Sequence, residues 1–245
     1  MFLMLAEVLK LSKLAAQFPE ATWLEWVTFH TTHVHWVGCS LHDLIQPGFS
    51  FLVGAALPFS LAKRQQSGQA TWWLYVHAAW RSLLLIALGI FVRSLNSDAT
   101  NFTFEDTLTQ IGLGYFLLFA IARGPHWLAP TAIGVILLGY WMAFAANPPA
   151  EDFDYQAVGV PANWTEHQTG LASAWNKNSN LAWKFDTWFL NLFPRPEPFS
   201  FHSGGYSTLS FVPTLATMLM GLLAGRWLLH ERRTSRRLLL LTSAV

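Results

Sequence analysis

Four histidines and one aspartate crowd the stretch FHTTHVHWVGCSLHDLIQPGFSFLVG: His30, His33, His35, His42 and Asp43. A neutral imidazole accepts a proton near pH 7, and a carboxylate beside it can hold the ring in one orientation. Asp43 suits that orienting role, and it also stands where a helix N-cap is expected, because an apolar run begins at Leu44. Three readings of the stretch stay open: acid–base or nucleophilic catalysis by at least one histidine, a structural set of hydrogen-bonded rings, and a metal site. The metal reading is the weakest and no metal is expected, since the spacing is not that of a compact tetrahedral motif and neither a cysteine pair nor H-E-x-x-H occurs.

Further along, Arg81 falls inside an apolar segment with His77 one helical turn before it. A cation at that depth is costly, so it either pairs within a bundle or meets an anionic ligand such as a phosphate, which its planar fork suits. Arg93 lies near a segment end, where snorkelling to the interface accounts for it. The tract from Trp175 to Asn180 sets amides beside aromatic rings, a composition that suits a carbohydrate and equally suits a hydrogen-bonded loop. His202, Ser203, Gly204, Gly205 and Tyr206 either expose backbone N–H groups to an anion or form a tight turn. No phosphate-binding loop, nucleophile elbow or dinucleotide fingerprint is present.

These groups must be positioned by elements that live in lipid. Of 245 residues 53% are apolar and only 12% charged, against about 25% charged in a soluble domain. Lys and Arg number 15 against 14 Asp and Glu, so there is no basic field for a nucleic acid, and none is expected as a partner. A spanning helix takes about 20 mainly apolar residues. The runs that qualify in whole or part are 2–16, 44–62, 73–95, 104–122, 127–146, 207–229 and the opening of one at 238–245. The fold expected is therefore all-α, a polytopic transmembrane helical bundle, with residues 147–206 as a long exoplasmic loop or cap.

Charge alternates between the gaps. Lys63 and Arg64, Arg123, and the pairs Arg232–Arg233 and Arg236–Arg237 fall in every second gap, while twelve of the fourteen acids fall in the others. Basic residues collect in cytoplasmic loops, so 17–43, 96–103 and 147–206 are expected on the exoplasmic side. Gly221 and Gly225 form a G-x-x-x-G pattern that suits close helix packing, and Gly54 is another small residue in a spanning run.

HVHWVGCSLHDLIQPGFSFLVG, with His33, Trp36, Gly38, Asp43 and Leu44 in register, resembles the membrane acyltransferase family typified by heparan-alpha-glucosaminide N-acetyltransferase, in its bacterial branch. The likeness extends to RSLLLIALGIF, to FEDTLTQIGLGYFLLF, to Asn180 and Asp186 in NLAWKFDTWFL, and to GGYSTLSFVPTLATMLMGLLAG. It implies an acyltransferase in a bacterial inner membrane that moves an acyl group from cytosolic acetyl-CoA, or another acyl-CoA, to an amino sugar or glycan on the far side. By the same resemblance His33 is the central residue, aided by Asp43. Trp36, His35, His42, Asn180, Asp186 and His202 are expected on the acceptor or cap side, and Arg81 at the donor's phosphates. Where this chain has His202-Ser203-Gly204-Gly205-Tyr206, the family has an acidic turn, so no role of those acids transfers. The family pattern also carries a preceding segment and further helices, so the chain reads as the front portion of a longer transferase. The partners expected are the lipid bilayer and a small-molecule or glycan acceptor, with a homodimer left open. A transporter or channel working through His33, His42 and Arg81 is the rival, and a non-catalytic scaffold the third reading.

Overall fold

The computed structural model describes residues 11–15, 17–18, 20–66 and 69–242. Eight α-helices follow in order among the described residues: α1 (Leu11–Ala15), α2 (Thr22–Thr31), α3 (Ile45–Gln66), α4 (Thr71–Ser94), α5 (Thr107–Arg123), α6 (Leu128–Ala145), α7 (Leu181–Phe189) and α8 (Phe211–Thr242). The described residues contain no strand, and the chain is all-α. Four stretches, His42–Arg64, Thr71–Ser94, Leu128–Ala145 and Thr208–Glu231, are long and apolar enough to cross a membrane, and the chain is an integral membrane protein of polytopic helical type. The run at 2–16 falls mostly outside the described residues.

The bundle is organised around α5 and α8. Ile111, Tyr115, Leu118 and Phe119 of α5 interlock with Leu215, Met218, Leu219 and Leu222 of α8, and Leu57 and Leu61 of α3 and Leu74 and Ala78 of α4 close around them. The outer helices turn large apolar side chains outward instead: Trp80, Leu83 and Phe91 on α4, Val135, Leu138 and Trp141 on α6. In water such faces would be unstable, whereas lipid solvates them at no cost.

Two of the expected boundaries move. The run 104–122 gives a helix of only 17 residues, because Asp106 caps it by accepting from Leu108 N and Thr109 N and so starts the helix at Thr107. At 1.5 Å per residue, α5 is about 25 Å long. The gap expected at 230–237 is also corrected: α8 runs unbroken to Thr242. Charge alone does not stop a helix, and LLHERRTSRRLL holds neither Pro nor Gly.

Helices α3 and α8 touch through their backbones. A methyl group added at Gly54 would run into the carbonyl of Met218, one at Gly221 into that of Phe51, and one at Gly225 into that of Ala55. The G-x-x-x-G spacing is thus a packing face. Gly134 of α6, by contrast, has open space around its Cα. Gly221→Val is expected to destabilise the detergent-solubilised protein by about 1–3 kcal/mol or more through overpacking, whereas Gly134→Ala holds or slightly raises stability. Thermal unfolding followed by tryptophan fluorescence reads both, and equal midpoints would refute the backbone contact.

Candidate functional site

The alternation of charge along the chain becomes two ends of one bundle. At the basic end Arg64 Nη2 lies 2.9 Å from His77 Nε2, Arg123 Nη2 donates to Thr71 Oγ1 at 3.5 Å, and Arg226 Nη2 donates to the Ala122 carbonyl at 2.9 Å. At the other end the histidine loop meets the cap formed by residues 147–206: Trp36 Nε1 donates to the Trp175 carbonyl at 3.1 Å and Val37 N donates to Glu166 Oε2 at 2.6 Å.

Helix α2 stops at Thr31, and the chain returns to α3 through a loop closed by Ser40 Oγ donating to the Thr32 carbonyl at 2.7 Å. Asp43 and Ser40 then bind each other reciprocally. Ser40 N donates to Asp43 Oδ2 at 2.8 Å, and Asp43 N donates to Ser40 Oγ at 3.3 Å. The other oxygen, Asp43 Oδ1, lies 2.7 Å from His33 Nδ1. A carboxylate there fixes the neutral ring with its proton on Nδ1, which leaves Nε2 as the basic atom. His42, buried, packs edge-on against His33 with ring centroids 4.4 Å apart.

This pair lines a cavity of about 800 Å³. His35, Trp36, His42 and Gln46 line it from the histidine loop and α3. Arg93 and Glu105 face it from the α4–α5 side, and Lys177, Ser203 and Tyr206 from the cap. Glu105 Oε1 stands 3.5 Å from Arg93 Nη2 and 3.9 Å from His202 Nε2. Gly204 N donates to His202 Nδ1 at 3.0 Å, so the neutral His202 ring carries its proton on Nε2, towards Glu105. Burial holds the His202 pKa below its usual value, with Glu105 opposing and Arg93 and Lys177 adding to the fall. Burial likewise raises the Tyr206 hydroxyl.

His33, His35, Trp36, His42 and Asp43 therefore meet in one cavity, with His202 behind its Glu105 wall. Asn180 and Asp186 do not line it; they hold the cap together. Asn180 accepts from Trp183 N at 3.0 Å and so starts α7. Asp186, 2% exposed, accepts from Thr208 N at 2.9 Å where the chain turns into α8. Arg81 lies towards the basic end, its guanidinium 4.8 Å above the Tyr115 ring and its Nη1 3.4 Å from the Tyr115 hydroxyl. Sequence reasoning missed Glu105 and Lys177 as cavity residues and gave Arg93 to the interface. Among the described residues no group of three His, Cys, Asp or Glu could hold a metal ion.

No protein-family model matches the chain. Over 91 residues, 35% of this chain, it is 30% identical to heparan-alpha-glucosaminide N-acetyltransferase from Homo sapiens and 28% identical to the same enzyme from Mus musculus. The similarity supports a distant relationship to that acetyltransferase. The matched stretch spans 14% of the length of each of these curated relatives.

Asp186 gives the cap a pH dependence. Burial drives its pKa from 3.8 to about 6, while hydrogen bonds from Thr208 oppose the rise and Oδ1 accepts no bond. Between those values the folded state binds more protons than the unfolded one, so this group's contribution to stability falls as pH rises from about 4 to 6. Two units correspond to roughly 3 kcal/mol. Asp186→Asn retains an acceptor for Thr208 N and removes the charge. Its melting temperature is expected to exceed that of the wild type above pH 6 and to converge with it near pH 4; parallel curves would contradict the assignment.

Proposed function

We propose that the chain is the acceptor-binding and transfer part of a transmembrane acetyltransferase. Its helical bundle and its similarity to an N-acetyltransferase fit such an enzyme in general. The observation that carries the reading is the 2.7 Å contact between His33 and Asp43 on the wall of an open cavity of about 800 Å³. The donor is an acyl-CoA, and the acceptor is the amine or hydroxyl of an amino sugar or glycan.

In the transfer step the acceptor nitrogen or oxygen bonds to the thioester carbon while His33 Nε2 takes the proton that this atom loses. The carbon–sulfur bond breaks, and the leaving thiolate recovers the proton from the imidazolium, which Asp43 stabilises in the interval. His42 restricts the swing of the His33 ring. Arg81, set among apolar side chains at the other end, is proposed to meet a phosphate of the donor. In this arrangement the basic end faces the cytosol, and the histidine loop and the cap face away from it, in a bacterial host across the inner membrane.

Proteoliposomes given radiolabelled acetyl-CoA and glucosamine test the chemistry. His33→Ala is expected to lower turnover by about 10²–10⁴-fold, and Asp43→Asn by a lesser factor of at least about ten, with insertion unchanged. Turnover that survives His33→Ala would remove the base. The orientation has a separate readout in Cys39, which is the single cysteine of the chain, exposed and six residues from His33. An impermeant maleimide applied to intact spheroplasts is expected to label it; labelling confined to inside-out vesicles would reverse the topology.

A further inference from the structure

Helix α3 packs on α8 and α4 packs on α5, which leaves a seam between α3 and α4. One wall is a single face of α3, where Phe49, Val53, Ala56 and Ser60 recur every three or four residues. Arg81 of α4 stands on the opposite wall and the buried Tyr115 of α5 forms the floor, around a recess of about 250 Å³. A second, narrower recess shares Leu57, Ser60, Arg81 and Tyr115 with the first and continues past His77 to Arg64 at the basic end. The rim of the seam is open to the side of the bundle: Leu52 is 62% exposed, and Phe49, Ala56 and Ser60 are exposed with it.

Arg81 is the residue that such a seam does not by itself explain. It lies about 15 Å along α4 from Thr71, at hydrocarbon depth, and it is exposed. Among the described residues its partners are the ring and the hydroxyl of Tyr115, and no carboxylate stands within ion-pair distance. No acid lines either recess. A guanidinium facing lipid without a counter-charge is costly, and an aromatic face offsets that cost only in part. The surroundings specify what would offset the rest. An anion satisfies the cation, and an apolar tail satisfies the strip of α3 beside it. A purely water-soluble anion gains nothing from a rim of Leu52 and Ala56 that opens on lipid, whereas an acyl chain is solvated equally well on both sides there. Lys63, Arg64 and Arg123 at the basic end draw anionic headgroups towards the mouth of the seam. From that mouth the Arg64–His77 pair, 2.9 Å apart, provides a polar wall along which a headgroup can sink to Arg81.

We propose that the seam between α3 and α4 is a binding site for an anionic phospholipid, with the phosphate on Arg81 and one acyl chain along α3 from Ser60 towards Phe49. That stretch of α3 rises about 16 Å, enough to hold a substantial part of a chain. The site goes beyond the acetyltransferase reading and does not depend on it, because the lipid lies on the flank of the bundle, away from His33. The two readings meet only at Arg81, which a lipid phosphate and a donor phosphate cannot occupy together.

Native mass spectrometry of the purified full chain, titrated in detergent with dioleoylphosphatidylglycerol or dioleoylphosphatidylcholine, reads the site. The two probes share their acyl chains and differ in headgroup charge. The wild type is expected to retain one phosphatidylglycerol with a preference of about tenfold or more over phosphatidylcholine, and Arg81→Gln to lose that preference. Ala56→Phe fills the slot and leaves the cation in place, and it is expected to weaken retention of the first phosphatidylglycerol by about tenfold as well. Equal retention of the two lipids by the wild type overturns the inference whether or not Arg81→Gln folds. So does a preference that survives in a folded Arg81→Gln, or retention unchanged in Ala56→Phe. Acetyl-CoA added as a competitor separates this site from the donor reading. Phosphatidylglycerol that stays bound against it removes Arg81 from the donor and leaves the lipid site, whereas Arg81-dependent binding of acetyl-CoA with no retained lipid removes the lipid site and leaves the donor contact.

Discussion

One carboxylate joins the histidine loop to the membrane-embedded scaffold. Asp43 directs one oxygen to the His33 ring and the other to the Ser40 amide, while its own amide is held by the Ser40 hydroxyl. It does so in the turn that leads into α3, where the unpaired N–H groups of a helix start favour negative charge. The ring's orientation is thereby referred to a long helix whose position the bundle core determines. Without that reference His33, half in solvent, would be a side chain free to rotate, and the remaining contacts around it would orient nothing.

The cap depends on a second set of buried polar groups of a different kind. Gln110, fully buried in α5, donates to the carbonyls of Phe104 at 2.6 Å and Thr208 at 3.1 Å, and Asp186 reaches the same turn from α7. Phe102, Phe104, Phe189 and Phe193 stack beside them, so that apolar area and hydrogen bonds hold the cap to the bundle together. A cap that docks in this way is a wall of the cavity and not a separate domain hung from it, and opening it would expose groups that have no other partners. The shape of the cavity and the docking of the cap are consequently linked.

Much of this was legible beforehand where one local signal dominates. Four apolar runs produced long helices, the glycine pattern produced a packing face, and the histidine stretch placed His33 in the loop and Asp43 in the turn that lead into α3. Other features depend on distant partners. Arg93 reads as an interfacial cation until Glu105, from a different segment, is set 3.5 Å away. Lys177 is inconspicuous among amides until a left-handed Asn178 and the ring of Trp164 decide which way it faces. Asn180 and Asp186 carry the opposite lesson: polar residues in a long loop suggested ligand contacts, but a buried polar group needs its own partners first, and these two satisfy the ends of helices. The start of α5 was written in the sequence as Asp106-Thr-Leu-Thr109, a capping signal hidden by the apolar average around it.

That early start has a geometric result. The hydrocarbon layer is about 30 Å thick, and the central helix is about 5 Å short of it. Since Asp106 and Thr107 at its beginning also line the cavity, the recess reaches down to the start of that short helix. A path from the cavity to the opposite end along α5 is therefore about 25 Å long, against about 36 Å along the 24 residues of α4.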